Sequence, residues 1–307
     1  MKELSDKSRI LDAMGKGIDW LWSIRARNFG WGEQQGNPFE LSGWSESLLG
    51  ILKSGINPKP DLFERGVTYL RQEQSKTPDI SRARRDQSKI SRSLIWPVIL
   101  FGELGESYDK PIIQGLLKEI KTFQIKGEGL VAELGHPANT YDTALMLWAL
   151  SKWRKETSIY VSRLVKWLKD AQNLDGGWGF QSGKGDSNAI CTALVSLKLA
   201  EAGEDLLDFG PSMEWLRKYQ KAPDQGVVVE FMETIQRDWN HYCIPYMTLA
   251  YIHTGIPIVS REVRDGVNVI LSQQDVSGGW KILRDHRPFT HATAHSIMCL
   301  GEIYKAL

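Results

Sequence analysis

The phrase AQNLDGGWGF, beginning at position 171, returns as SQQDVSGGWK at position 272, and a shorter form, FGWG, surrounds Trp31. Trp31, Trp178 and Trp280 stand 147 and 102 residues apart, which is three repeats of 49 and two of 51. A fixed period of this size constrains the fold more than any other feature. Each unit of such an array cannot bury its own apolar face and needs its neighbours to do so. A chain of 307 residues has room for six units.

Within each period the pattern reads as a first helix with charges between its apolar positions, a loop bearing Gly or Pro, and a second, more apolar helix. First helices are expected near 10–27, 61–74, 111–126, 157–172, 211–220 and 260–274. Second helices are expected near 43–54, 90–104, 139–152, 187–202, 240–253 and 290–305. YVSRLVKWLKDAQ illustrates the first kind and ALMLWALSKW the second. An open solenoid needs polar capping repeats, and neither end has one: Trp20 and Trp22 lie in the first helix, and the chain closes on IMCLGEIYKAL. The expectation is an all-α chain, a closed α6/α6 toroid (barrel) of six helical hairpin repeats in one domain, 1–307. Gly176-Gly177 and Gly278-Gly279 suit helix ends that need positive φ. Gln172 and Gln273 are placed to bond backbone groups left over there. Thr143-Ala144, Thr192-Ala193 and Thr293-Ala294 are small steps where helices can approach closely.

Composition removes several classes of function. With 42% hydrophobic and 24% charged residues and a net charge of +1, the chain has no electrostatic footprint for nucleic acid. The opening MKELSDKSRI has no continuous apolar stretch, so the reading is a cytoplasmic protein with neither a secretory signal nor a transmembrane segment. Cys191, Cys243 and Cys299 are far apart, which argues against a disulfide framework and a zinc ribbon. Twelve tryptophans are an excess that suits apolar cavities and pinned helices.

A Gln, a short spacer and Gly-x-Trp after a first helix, followed by Thr-Ala in the second, resembles the QW repeat of squalene–hopene cyclases. Class II diterpene cyclases and the β-subunits of protein prenyltransferases are wider relatives. The resemblance implies an isoprenoid-processing enzyme that binds a prenyl chain or prenyl diphosphate in an aromatic-lined central cavity. Its cyclases protonate an alkene with the middle Asp of DxDD just before Thr-Ala. Here the stretch is NTYDTALMLWAL, so Tyr141 stands at the donor place and only Asp142 remains. A phenol is a far poorer acid than a carboxylic acid, which disfavours protonation of the usual kind. Prenyltransferase β-subunits carry a zinc on Asp-x-Cys and a later His. The positions that match are His241, Cys243 and His291, with His295 one turn on.

The resemblance further implies a diphosphate, and with it Mg, gripped by basic residues, for which Arg237, Lys281, Arg284 and Arg287 are candidates. Trp44, Trp96, Trp148, Trp239, Tyr242 and Tyr246 are candidate walls for a prenyl chain. The basic run SRARRDQSK at 81–89 is an exposed face or a docking point for a partner subunit or an anionic membrane surface. GWGEQ at 30–34 lacks the cysteine of a thioester domain, and no Cys-His pair of the lanthionine-cyclase kind is present. A catalytically degenerate toroid that binds a protein or lipid is the alternative to an enzyme, and unrelated chemistry on the same fold is a third reading.

Overall fold

A computed structural model describes residues 2–26, 30–32, 40–76, 90–123, 129–130, 137–181, 186–220, 229–231, 234–236, 240–281 and 287–307. Among the described residues there are twelve α-helices, α1 (Lys2–Ile24), α2 (Leu41–Ser54), α3 (Pro60–Lys76), α4 (Ile90–Glu103), α5 (Pro111–Ile120), α6 (Thr140–Ser151), α7 (Arg154–Asp170), α8 (Ala189–Glu201), α9 (Gly210–Gln220), α10 (Asn240–His253), α11 (Arg261–Ser272) and α12 (Thr290–Ala306). Twelve helices in six first-and-second pairs is what the period requires. The sequence patterns did not show a two-stranded antiparallel hairpin, β1 (Val229–Phe231) and β2 (Thr234–Gln236), paired from Val229 with Gln236 to Phe231 with Thr234.

The helices divide by burial as their patterns dictate. In α6 every residue from Thr140 to Leu150 is buried, and in α8 every residue from Ala189 to Leu199. The first helices bury one stripe: Thr157, Val161, Leu164, Val165 and Leu168 in α7, at the spacing of an amphipathic helix. The chain forms two compact units, a central one of residues 70–219 and a terminal one of 1–69 with 220–307. In the central unit α6 packs on α4, α7 and α8; in the terminal unit α12 packs on α1, α2 and α10.

The Trp loops are one hydrogen-bonded device used three times. Trp31, Trp178 and Trp280 each donate the indole N–H to the carbonyl ten residues earlier, that of Leu21, Leu168 and Ile270, every time at 2.7 Å. A carbonyl in the last turn of a helix has no partner inside the helix, and the ring both supplies one and fills the space beside it. Gly176 and Gly278 adopt φ of +89° and +99°, as the turn demands. The Gln172 side-chain amide donates to the Gly176 carbonyl at 2.8 Å. In the last repeat the same bond, from amide to Gly278 carbonyl, is made by Gln274 rather than the expected Gln273, which instead caps the C-terminus of α11. The loop fixes its geometry from the tryptophan backwards, and Gln274 is the residue that stands six before Trp280 as Gln172 does before Trp178.

The Thr-Ala steps also work differently from the expectation of mere smallness. Thr192 and Thr293 accept hydrogen bonds at 2.9 Å from the backbone N–H of Trp178 and Trp280, and Thr143 accepts one from Leu130. Each hydroxyl satisfies a buried loop amide that would otherwise be orphaned. The starts of two second helices are then tied to another repeat: Thr140 donates to the Gly179 carbonyl and Thr290 to that of Gly32, both at 2.6 Å. The second bond joins the last repeat to the first, inside the terminal unit, and Gln274 adds another by donating to the Ala13 carbonyl.

Candidate functional site

The terminal unit holds a buried charged cluster on helices that are largely apolar. Helix α2 runs buried from Ser42 to Ile51, and its serines satisfy themselves, Ser45 and Ser47 each donating one turn back to the carbonyls of Leu41 and Gly43. Glu46, 2% exposed, has no such option and must find partners on another helix. It finds two. Oε1 lies 2.8 Å from His291 Nδ1 and Oε2 lies 3.0 Å from His295 Nε2. His291 and His295 are four apart on α12, and so share one face. The His295 ring is in turn held by Tyr246 of α10, whose hydroxyl is 3.2 Å from Nε2 with ring centroids 4.9 Å apart.

Backbone approach makes this reach possible. A Cβ on Gly50, one turn after Glu46, would stand 2.7 Å from the Ala294 carbonyl oxygen, and one on Gly301 would stand 2.4 Å from Ser54 Cα. Helices α2 and α12 therefore touch backbone to backbone, and the short side chain of a glutamate spans the remaining gap. Burial pushes the Glu46 carboxyl upward, but the charge and hydrogen bond of His291, with the hydrogen bond and charge of His295, outweigh it and bring the group down to about 2. Glu46 is thus a buried carboxylate held between two imidazoles. Tyr246 and His295 are 0% and 1% exposed, whereas the His291 side chain is 16% exposed, so the cluster runs from the interior to an accessible end.

In the central unit the NTYDTA stretch forms a second polar group at the start of α6. Asn139 is the N-cap, accepting from the Asp142 backbone N–H at 2.7 Å, while its amide donates to Asp142 Oδ2 at 2.8 Å. Arg92 of α4 donates Nε–H to Asp142 Oδ1 at 2.9 Å and lays its guanidinium 4.8 Å from the Tyr141 ring centre. Asp142 is 0% exposed, with both oxygens committed to neighbours in the helix start. Beside it, burial above all holds the Cys191 thiol up at about 11, a protonated and unreactive form. At the other end of the same helices Trp96 and Trp148 meet edge to face at 5.7 Å, and Trp148 donates its N–H to Glu103 at 3.0 Å. The Lys198 ammonium sits 3.5 Å over the Trp148 ring.

Of the aromatic residues expected to meet a ligand, Trp44, Trp96, Trp148 and Tyr246 are all buried on second helices. Trp239, Arg237 and Arg284, with the run at 81–89, lie outside the described residues, as do the side chains of His241 and Tyr242. Lys281 pairs with Asp275 at 2.8 Å, and Arg287 is exposed. Cys243 is buried on α10, and among the described residues no three His, Cys, Asp or Glu groups are set to hold a metal ion. The two histidines of the expected zinc set whose side chains are described, His291 and His295, lie against Glu46. Sequence reasoning missed Glu46 and Arg92. The signal for Glu46 was a lone acidic residue in the apolar LSGWSESLLG, and the HATAH spacing called for a partner on a helix 245 residues away.

No protein-family model matches the chain. Squalene-tetrahymanol cyclase of Tetrahymena thermophila is 26% identical over 185 residues, which is 58% of this chain and 26% of that enzyme. The chain therefore spans about a quarter of the length of the curated relative it matches. Among solved structures, the type II terpene cyclase MstE from Scytonema matches with a TM-score of 0.66 at 14% identity, over 98% of this chain and 99% of that one. A variant of MstE in complex with geranylgeranyl dihydroxybenzoate, its substrate, matches with a TM-score of 0.65 at 15% identity, over 99% of each chain. An inactive variant of the α-1,6-mannanase GH76A of Salegentibacter, in complex with mannotriose, matches as well, with a TM-score of 0.67 at 11% identity over 96% of this chain and 99% of that one. These likenesses show the α/α toroid fold, and with the sequence likeness to the squalene cyclase they support a terpene cyclase-like superfamily. No described helix is long and apolar enough to cross a membrane.

Proposed function

We propose that the chain is an isoprenoid-processing domain of terpene cyclase-like kind, which binds a prenyl chain against buried aromatic rings. Trp44 and Tyr246 offer those rings in the terminal unit. The observation that carries this reading is the Glu46, His291, His295 and Tyr246 cluster. Desolvating a carboxylate and two imidazoles is costly, and packing alone gains nothing from it that Leu or Met would not give more cheaply. Ionisable groups kept inside an apolar framework are the usual mark of a site that handles protons or a polar ligand group. The sequence likeness to a squalene cyclase favours an isoprenoid over a glycan. The mannanase variants are inactivated at two consecutive aspartates, and no two consecutive aspartates occur in this chain.

Chemistry started by the NTYDTA stretch is not part of this reading. Tyr141 occupies the donor place, and Asp142 is bound by Arg92 and Asn139. That observation favours a second reading, a toroid that holds a prenyl or lipid ligand without transforming it. One experiment addresses both. Purified protein is extracted with organic solvent, the extract is analysed by mass spectrometry, and binding of geranylgeraniol is followed by tryptophan fluorescence. A retained prenyl compound and saturable binding are expected. A glycan in the extract, or neither retained isoprenoid nor binding, would reject the isoprenoid reading. Conversion of the bound compound on prolonged incubation separates the enzyme from the binding module.

A further inference from the structure

Within the central unit a solvent-open groove lies between α7 and the turn that follows α8, and it encloses about 360 Å³. Its floor is Val161 and Val165, with Ser162 beside them. Along α7, positions 154, 155, 158, 162, 166 and 169 recur at intervals that place them on one flank. That flank carries Arg154, Lys155, Ser158, Ser162, Lys166 and Lys169, four cations and two hydroxyls, and Asp170 stands at its end. The opposite wall is preformed. At the end of α8 the Gly203 N–H donates to the Ala200 carbonyl at 2.9 Å and the Glu204 N–H to that of Leu199 at 3.2 Å, with Gly203 at a φ of +84°. Lys169 ties this wall to α7 through Glu204 at 2.9 Å and Asp208 at 2.8 Å, and Arg154 ties it again by donating to the Ala202 carbonyl.

The charges are not balanced along the groove. Lys169 is matched by Glu204 and Asp208. Lys166 meets Asp170 at 2.6 Å, but the two side chains are 76% and 64% exposed, and water leaves such a pair little net worth. Arg154 uses one of its five N–H donors on a carbonyl, and Lys155, which is exposed, has no carboxylate partner among the described residues. We propose that this groove is a docking site for an acidic, extended peptide segment of a partner protein. Its carboxylates meet Arg154, Lys155 and Lys166, and its apolar side chains rest on Val161 and Val165. Length selects a peptide over a small anion. From Arg154 to Lys166 the helix rises about 18 Å, several times the span of one phosphate, and an extended chain covers that distance in about five or six residues. Shape selects a peptide over a membrane, because the floor is recessed between two walls, where a side chain can enter and a flat bilayer cannot. Walls that are already fixed confine the ordering cost of binding largely to the peptide. The docking role is independent of the isoprenoid reading, since none of these residues belongs to the Glu46 cluster.

The probe is a short fluorescein-labelled peptide of glutamate, aspartate and leucine, titrated with the full chain and read by fluorescence anisotropy. Saturable binding is expected, and it should weaken steeply as salt rises from roughly 50 to 300 mM. The same peptide with lysine in place of each acid should not bind. Lys155→Glu and Ser162→Glu, both at exposed positions that leave the core untouched, should each weaken binding roughly tenfold or more. Lys118→Glu makes the same charge change as Lys155→Glu at an exposed position of α5, and should alter binding by less than about twofold. Far-UV circular dichroism checks that each variant is folded. Carbodiimide coupling of the bound peptide, read by mass spectrometry, should join its carboxylates to Lys155 or Lys166. No saturable binding, binding that both groove variants leave unchanged, or coupling confined to lysines outside α7 would overturn the docking site. Pyrophosphate that displaces the peptide at equal concentration would make the groove a small-anion site. Phosphatidylserine vesicles that bind the intact chain but not Ser162→Glu would make it a membrane contact. Either of these results overturns the peptide assignment.

Discussion

Replacing Glu46 by Gln should change how stability depends on acidity, and by an amount the structure supplies. The carboxyl is held at about 2 in the folded chain against an ordinary 4.5. A difference of about 2.5 units corresponds to about 3 kcal/mol of preferential binding of the charged form by the native state. Because the folded value is the lower one, this stabilisation is complete above the unfolded value of 4.5 and is lost as pH falls from there toward 2. Glutamine does not titrate, so the variant lacks the whole contribution at neutral pH and loses nothing further in acid through this position. Asp275, which the Lys281 bond and a backbone bond from Ser277 hold at about 2, titrates in the same window in both proteins and cancels in the comparison. The assay is urea denaturation of both proteins at a series of pH values between roughly 7 and 3. The gap in unfolding free energy should be about 3 kcal/mol at neutral pH and should narrow steadily below 4.5. A gap that stays constant across that range would refute the claim that two imidazoles hold Glu46 as a buried carboxylate.

Four further outcomes follow from particular bonds and are measured by the same denaturation method at neutral pH. Arg92→Ala leaves the fully buried Asp142 with one partner fewer and should destabilise by about 3 to 5 kcal/mol; a loss below about 1 kcal/mol would mean the pair is not buried as described. Trp178→Phe removes the donor to the Leu168 carbonyl while keeping most of the ring, at a cost of about 1 to 3 kcal/mol, and Trp280→Phe should match it because the two bonds have the same length. Thr290→Val should cost about 1 to 3 kcal/mol by orphaning the Gly32 carbonyl, and no loss would remove the hydroxyl from its assigned role in joining the last repeat to the first. Gly50→Ala sets a methyl group 2.7 Å from the Ala294 oxygen and should cost about 1 to 3 kcal/mol.

The sequence alone determined what is local and periodic. Tryptophan spacing set the repeat, amphipathic and apolar stretches set the helices, and the Gly-Gly-Trp phrase foretold both the positive φ and the return of the ring onto its hairpin. Each of these depends on residues within about ten positions, which is the distance over which a helix end and its cap interact. Even there, tertiary geometry decided details: Gln274 took the role expected of Gln273, because the loop is measured back from the tryptophan. The Thr-Ala steps proved to be hydrogen-bond acceptors for loop amides rather than only small contacts. The candidate site lay beyond local reasoning. His291 and His295 were visible as a pair on one helix face, but what they face could not be read, since Glu46 is 245 residues earlier and Tyr246 belongs to a third helix. Only the close approach of α2 and α12, allowed by Gly50 and Gly301, brings the carboxylate between the two rings. It thereby sets His291 and His295, two of the expected metal ligands, against a buried carboxylate, because a buried charge takes whichever opposite partner the packing delivers.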